Sequence, residues 1–130
     1  MKSASGPGVL LVGGYRTTRD ALRGWLVEEF PDIRVRIAES AEGARRIVQA
    51  KPFAAAVILV DIDRGGLEML RLVRQLTPGA PLIALSAYRA DSHREYAIAA
   101  DAVACVSSQV LNGALKEVLR PLLEIPAAAS

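Results

Sequence analysis

Two carboxylates stand two residues apart at the end of an apolar run, in the stretch Val57-Ile58-Leu59-Val60-Asp61-Ile62-Asp63. A carboxylate so placed caps the turn that follows or takes a share in binding a cation. A hydroxyl, Ser86, closes a second apolar run, and Ser107 and Ser108 follow a third, Ala102 to Val106. Gly13-Gly14 follows Val9 to Val12, and a glycine turn ahead of a helix can cradle an anion. That pair falls short of both G-x-G-x-x-G and G-x-x-x-x-G-K-[ST], so a small anionic ligand at Gly13-Gly14 is a secondary reading. His93, the one histidine, reads as a surface residue with no nucleophile placed near it, which argues against a hydrolytic enzyme. Cys105, the one cysteine, excludes a disulfide within the chain and reads as a buried small hydrophobe. No spacing of His and Cys suits a metal centre.

The segments that must position these groups alternate between short apolar runs and amphipathic stretches. Strands are expected at Val9–Val12, Arg34–Ala38, Ala55–Val60, Leu82–Ser86 and Ala102–Val106. The third is apolar on both faces, as a strand covered by helices on each side must be. A first helix, about Thr17 to Phe30, puts Leu22, Trp25, Leu26 and Phe30 on one face. A second begins after the N-cap Ser40, and a third spans about Leu67 to Leu76. The capping box Ser92-His93-Arg94-Glu95 marks the start of a fourth, and Pro121 should kink or break the fifth. Right-handed crossovers then favour a three-layer αβα sandwich of flavodoxin type, with five parallel strands in the order 2-1-3-4-5. In such a sheet the functional site lies at the carboxyl ends of the strands, which is where Gly13, Gly14, Asp61, Asp63, Ser86, Ser107 and Ser108 fall.

Bulk properties set the outer limits. With 130 residues, 52% hydrophobic and 23% charged, the chain suits one folded domain over residues 9–125, with flexible stretches at 1–8 and 126–130. No apolar run approaches the ~20 residues of a membrane span, and Met1 to Gly8 do not make a signal peptide, so a cytoplasmic location is expected. The net charge of +2 is spread rather than gathered on one stretch, and direct nucleic-acid binding is not expected.

In order and spacing, VLLVGGYRTTRDALRGWL, AESAEGARRIV, VILVDID with GLEMLRLVR, and PLIALSAY resemble the response-regulator receiver family from about Val9 to Leu123. The resemblance implies a signalling domain rather than an enzyme. It makes Asp61 the candidate phosphoacceptor and Ser86 the hydroxyl that bonds the phosphoryl group and repositions the segment from the fourth strand to the fourth helix. It also exposes departures. The family's two acidic residues after the first strand, which hold Mg²⁺, are Gly13 and Gly14 here, leaving Asp63 or Glu39 as weak candidates to assist a metal. The family's lysine on the fifth strand is Val106 or Ser107, depending on register, and its aromatic switch residue is missing from Val103, Ala104 and Cys105. The loop after Asp61 is short and lacks the usual proline, and Arg64 in it could point toward Asp61, either as a substitute positive charge or, the preferred reading, in a plain ion pair.

Phosphoryl transfer rests on positioning and charge stabilisation, and losing one such donor elsewhere costs ~3 kcal/mol. The resemblance therefore implies an atypical, degenerate receiver that acts by protein–protein interaction, with weak or no Mg²⁺-dependent phosphorylation. A divergent but working phosphoreceiver modified at Asp61 is the alternative, and only that reading needs Mg²⁺. Expected partners are a histidine kinase, a phosphotransfer protein or another regulator. Self-association through the α4–β5–α5 face, about Ser92 to Leu122, is also expected.

Overall fold

Continuous apolar runs become the inner strands because helices cover both of their faces. In the computed structural model, which describes residues 6–50, 55–87, 90–109 and 111–123, β1 (Gly8–Val12) and β4 (Leu82–Ser86) are buried at every position. β3 (Ala55–Asp61) is buried over its last five residues, whereas the edge strand β2 (Arg34–Ala38) keeps only Ala38 fully inside. With β5 (Ala104–Ser107) they form one parallel sheet in the order β2-β1-β3-β4-β5. This is the expected flavodoxin-like architecture.

Among the described residues five α-helices complete the three layers: α1 (Arg16–Glu29), α2 (Ala41–Gln49), α3 (Ile62–Leu76), α4 (Ala90–Ala99) and α5 (Lys116–Leu123). Leu22 and Leu26 of α1 and Leu119 of α5 pack on Leu11, Leu59 and Leu85 from one face of the sheet. Ala44 of α2, Leu70 and Val73 of α3 and Ala97 of α4 pack on Leu10, Ile58 and Ala84 from the other. Trp25 meets Phe30 edge to face at 6.2 Å, closing the end of α1. Ser40 caps α2 as expected, its Oγ accepting from the Gly43 N–H at 3.2 Å.

Several boundaries differ from the sequence reading. α3 starts at Ile62, directly after Asp61, so the expected loop is a first helical turn; Gly66, at φ 65°, ψ −166°, breaks the helix within it. α4 begins at Ala90, two residues before the capping box. α5 continues through Pro121, whose missing N–H removes a single hydrogen bond of the helix. The irregularity is instead upstream, in a wide helical turn at Leu111–Leu115, where Gly113 takes φ −98°, ψ −118°. β5 starts at Ala104 because the Ala102 N–H is taken by the Ala97 carbonyl at 3.0 Å and Val103 is turned to solvent. Gly8 already belongs to β1, while 1–5 and 124–130 lie outside the described residues.

Candidate functional site at the carboxyl edge of the sheet

Asp61 is the last residue of β3 and the N-cap of α3, so the central strand of the sheet delivers one carboxyl to its edge. It is 4% exposed, and its Oδ1 accepts from the Asp63 N–H at 2.8 Å. Asp61 is thus a capping carboxylate, whatever else it does. Desolvation raises its pKa above the ordinary 3.8, the Asp63 charge adds to the rise, and the Asp63 N–H and the Arg19 charge oppose it. A raised carboxyl pKa means that the folded chain holds the proton more tightly than the unfolded one. The associated stability is present below the unfolded value and is lost as pH rises through the folded value. Asp61→Asn keeps an acceptor for the Asp63 amide and removes the buried charge. Its Tm should exceed that of the wild type at pH 7, and the gap should close as pH falls toward 3.8, as followed by thermal melts across that range.

Asp63, two residues on, projects from the first turn of α3 toward the end of β4. Its Oδ1 accepts from the Ser86 hydroxyl at 2.7 Å and its Oδ2 from the Ala87 N–H at 2.7 Å. Ser86 itself is fully buried. The two acids therefore face different partners, Asp61 toward β1 and Asp63 toward β4.

Gly13 and Gly14 form the turn from β1 into α1 with φ of +80° and +82°. A Cβ on Gly14 would stand 2.7 Å from Asp61 Oδ2, so the turn is glycine because the Asp61 carboxylate already occupies that space. The Gly13 N–H is bonded to the Ala38 carbonyl at 2.9 Å, which leaves the anion-cradle reading without one of its donors. The cation of this corner is Arg19, which the sequence reading did not single out. It is 9% exposed and donates from Nη1 to the Gly14 carbonyl at 2.6 Å and, more loosely, to that of Gly13 at 3.4 Å. The available signal was its spacing: residues 19, 22 and 26 share the buried face of α1.

Three other expectations are corrected here. Arg64 does not pair with Asp61; its guanidinium lies over the Tyr15 ring at 4.8 Å, because the early start of α3 carries it outward. Glu39 is turned to Arg19, at 3.7 Å, rather than to the two aspartates. The register of β5 sets Val106 beside Leu85 and Ser107 beside Ser86, so neither candidate position carries a charge. Val106 is buried, and the Ser107 Oγ accepts from the Gln109 N–H at 3.0 Å. His93 is half-buried rather than exposed.

These residues do not fit a divalent cation. Gly13 and Gly14 offer no side-chain ligand, Asp63 has both oxygens engaged, and the Arg19 cation lies on the Gly13-Gly14 side of Asp61. No group of three or more His, Cys, Asp or Glu able to hold a metal occurs among the described residues. A cavity of about 390 Å³ opens beside the two aspartates, lined also by Tyr15, Thr17, Ala87 and Ser108. No helix among the described residues is long and apolar enough to cross a membrane.

No protein-family profile matches the chain, and no curated relative matches it. Solved structures do. A CheY-like response regulator receiver domain protein from Methanospirillum hungatei JF-1 is 25% identical over 91% of this chain and 97% of its own, with a TM-score of 0.67. CheY6 from R. sphaeroides, solved with the P1 domain of CheA3, is similar at 26% identity over 91% and 97%, with a TM-score of 0.69. The RcsB response regulator of Salmonella typhimurium shares the fold at 16% identity and a TM-score of 0.67 over 98% of this chain, which spans 65% of that longer one. The structural neighbours are receiver domains, and this likeness supports the receiver family for the chain.

Proposed function

We propose that this chain is an atypical receiver-like domain of a two-component or phosphorelay system, working by protein–protein contact with weak or no Mg²⁺-dependent phosphorylation at Asp61. One observation carries the reading: the Asp61 carboxylate is packed against glycine where a second acid would be needed to hold the metal. Its nearest helper, Asp63, is committed to Ser86 and Ala87. With neither a fitted cation site nor a cation on β5, the negative charge of a transferring phosphoryl group lacks its main stabilisers.

The complex of a similar receiver with the P1 domain of CheA3 supports a kinase, phosphotransfer protein or second regulator as partner. Tyr96, Ile98 and Val103, 63%, 47% and 56% exposed, support α4 and the entry to β5 as part of the docking face, including self-association. Incubation with acetyl phosphate and Mg²⁺, followed by intact-mass spectrometry, should label Asp61 about 10²-fold or more slowly than an ordinary receiver. Rapid, Mg²⁺-dependent labelling that Asp61→Asn abolishes overturns the reading. The cavity beside Asp61 favours the second reading, a divergent working phosphoreceiver, which that same result would establish.

A further inference from the structure

We infer that the corner where Gly13-Gly14, Glu39-Ser40 and Arg64 meet is a binding site for a small organic oxyanion, a carboxylate or a phosphate, gripped by the side chains of Arg19 and Arg64. A cavity of about 370 Å³ opens there and shares no described residue with the one beside Asp61 and Asp63. Three segments distant in sequence converge on it: the turn from β1 into α1, the turn from β2 into α2, and the first turn of α3. Arg19 is its enclosed wall. Nη1 is spent on the Gly14 and Gly13 carbonyls, whereas Nη2 faces Glu39 Oε2 at 3.7 Å, beyond hydrogen-bond reach. A nearly buried guanidinium with one side unbonded is held ready for an acceptor.

Glu39 is a loose counter-ion, since its side chain is 82% exposed and an ion pair so placed contributes little. An incoming oxyanion displaces it at small cost. Arg64 brings the second guanidinium, exposed and without a carboxylate partner among the described residues. Its face lies on the Tyr15 ring, which leaves the in-plane N–H donors for a bidentate grip. The Ser40 Oγ accepts from the Gly43 N–H and keeps its own proton to donate. The Met69 methyl group, 3.4 Å from where a Cβ on Gly13 would stand, adds an apolar wall suited to a short organic body. Charge favours an anion over a cation. Asp61, packed against Gly14, already answers Arg19, and Glu39 can leave, so no fixed carboxylate balances Arg64. A ligand so held ties three segments together at the edge that carries Asp61, with no covalent change to that residue.

Solution NMR on the isotope-labelled full chain tests the site, with inorganic phosphate and acetate titrated separately at neutral pH and constant ionic strength. Each should give saturable shifts at the Gly13, Gly14 and Ser40 amides and at the Arg19 Nε–H, which chloride at the same ionic strength does not reproduce. Arg64→Gln, an exposed change, should weaken binding about ten-fold. Glu39→Gln, which removes the competing carboxylate, should tighten it about three-fold. Saturation at lower acetate than phosphate assigns a carboxylate ligand and the reverse a phosphate; either upholds the site. Shifts that rise linearly with salt, saturable shifts confined to Ser86 and Ala87, an affinity unmoved by Arg64→Gln, or weaker binding in Glu39→Gln would each overturn the inference. The wild-type titration needs no variant to fold.

Discussion

Gly14→Ala should cost about 2–4 kcal/mol. The residue sits at φ +82°, where a side chain strains the backbone, and its new Cβ would meet the Asp61 carboxylate at 2.7 Å, with the Asp61 Cβ at 3.0 Å. Neither contact relaxes cheaply, because Asp61 is anchored at both ends of its role, as the last residue of β3 and the cap of α3. A fall in Tm of roughly 10 °C, read by circular dichroism, is the expected result. A variant as stable as the wild type would show that the carboxylate does not occupy this corner. The same strain bears on attempts to restore acids here. Gly14→Asp should be at least as destabilised and should not bind Mg²⁺ tightly, since its side chain must first evict the carboxylate it is meant to assist. Gly13 is less tight, since a Cβ there would meet the Asp61 carbonyl oxygen at 3.1 Å, yet it shares the positive φ.

Arg19→Met should cost about 2–4 kcal/mol for a different reason. The guanidinium is nearly enclosed and gives its hydrogen bonds to the carbonyls of Gly13 and Gly14, the turn that shapes the site. Methionine fills the space but donates nothing, so two carbonyls lose a charged donor, and Asp61 loses the cation that holds its pKa down. Two readouts separate this from plain loss of packing. The Asp61 carboxyl should titrate at a higher pH in Arg19→Met than in the wild type, by carbon-detected NMR. Arg19→Lys should restore the charge but only part of the stability, because an ammonium is a point charge and not a planar fork. An unmoved Asp61 titration in Arg19→Met would refute the electrostatic link between α1 and the end of β3.

What this chain's sequence determined by itself was the layout. Apolar runs at Val9–Val12, Val57–Val60 and Leu82–Leu85 leave no hydrophilic face, so they require helices on both sides and hence a parallel sheet. The order of those runs then brings Gly13, Asp61, Ser86 and Ser107 to one edge. The tertiary structure alone decided how the groups at that edge are paired. Whether Asp63 turns to Asp61 or to Ser86 depends on where α3 begins, and boundary signals around Gly65-Gly66 are weak. Whether Arg19 faces water or the site depends on how α1 lies across β1, since its own sequence neighbours are as polar as those of any surface arginine. Local patterns fix periodicity and burial, whereas side-chain partnerships at the ends of strands arise from elements far apart in sequence, and their geometry exists only once the sheet and its covering helices have closed.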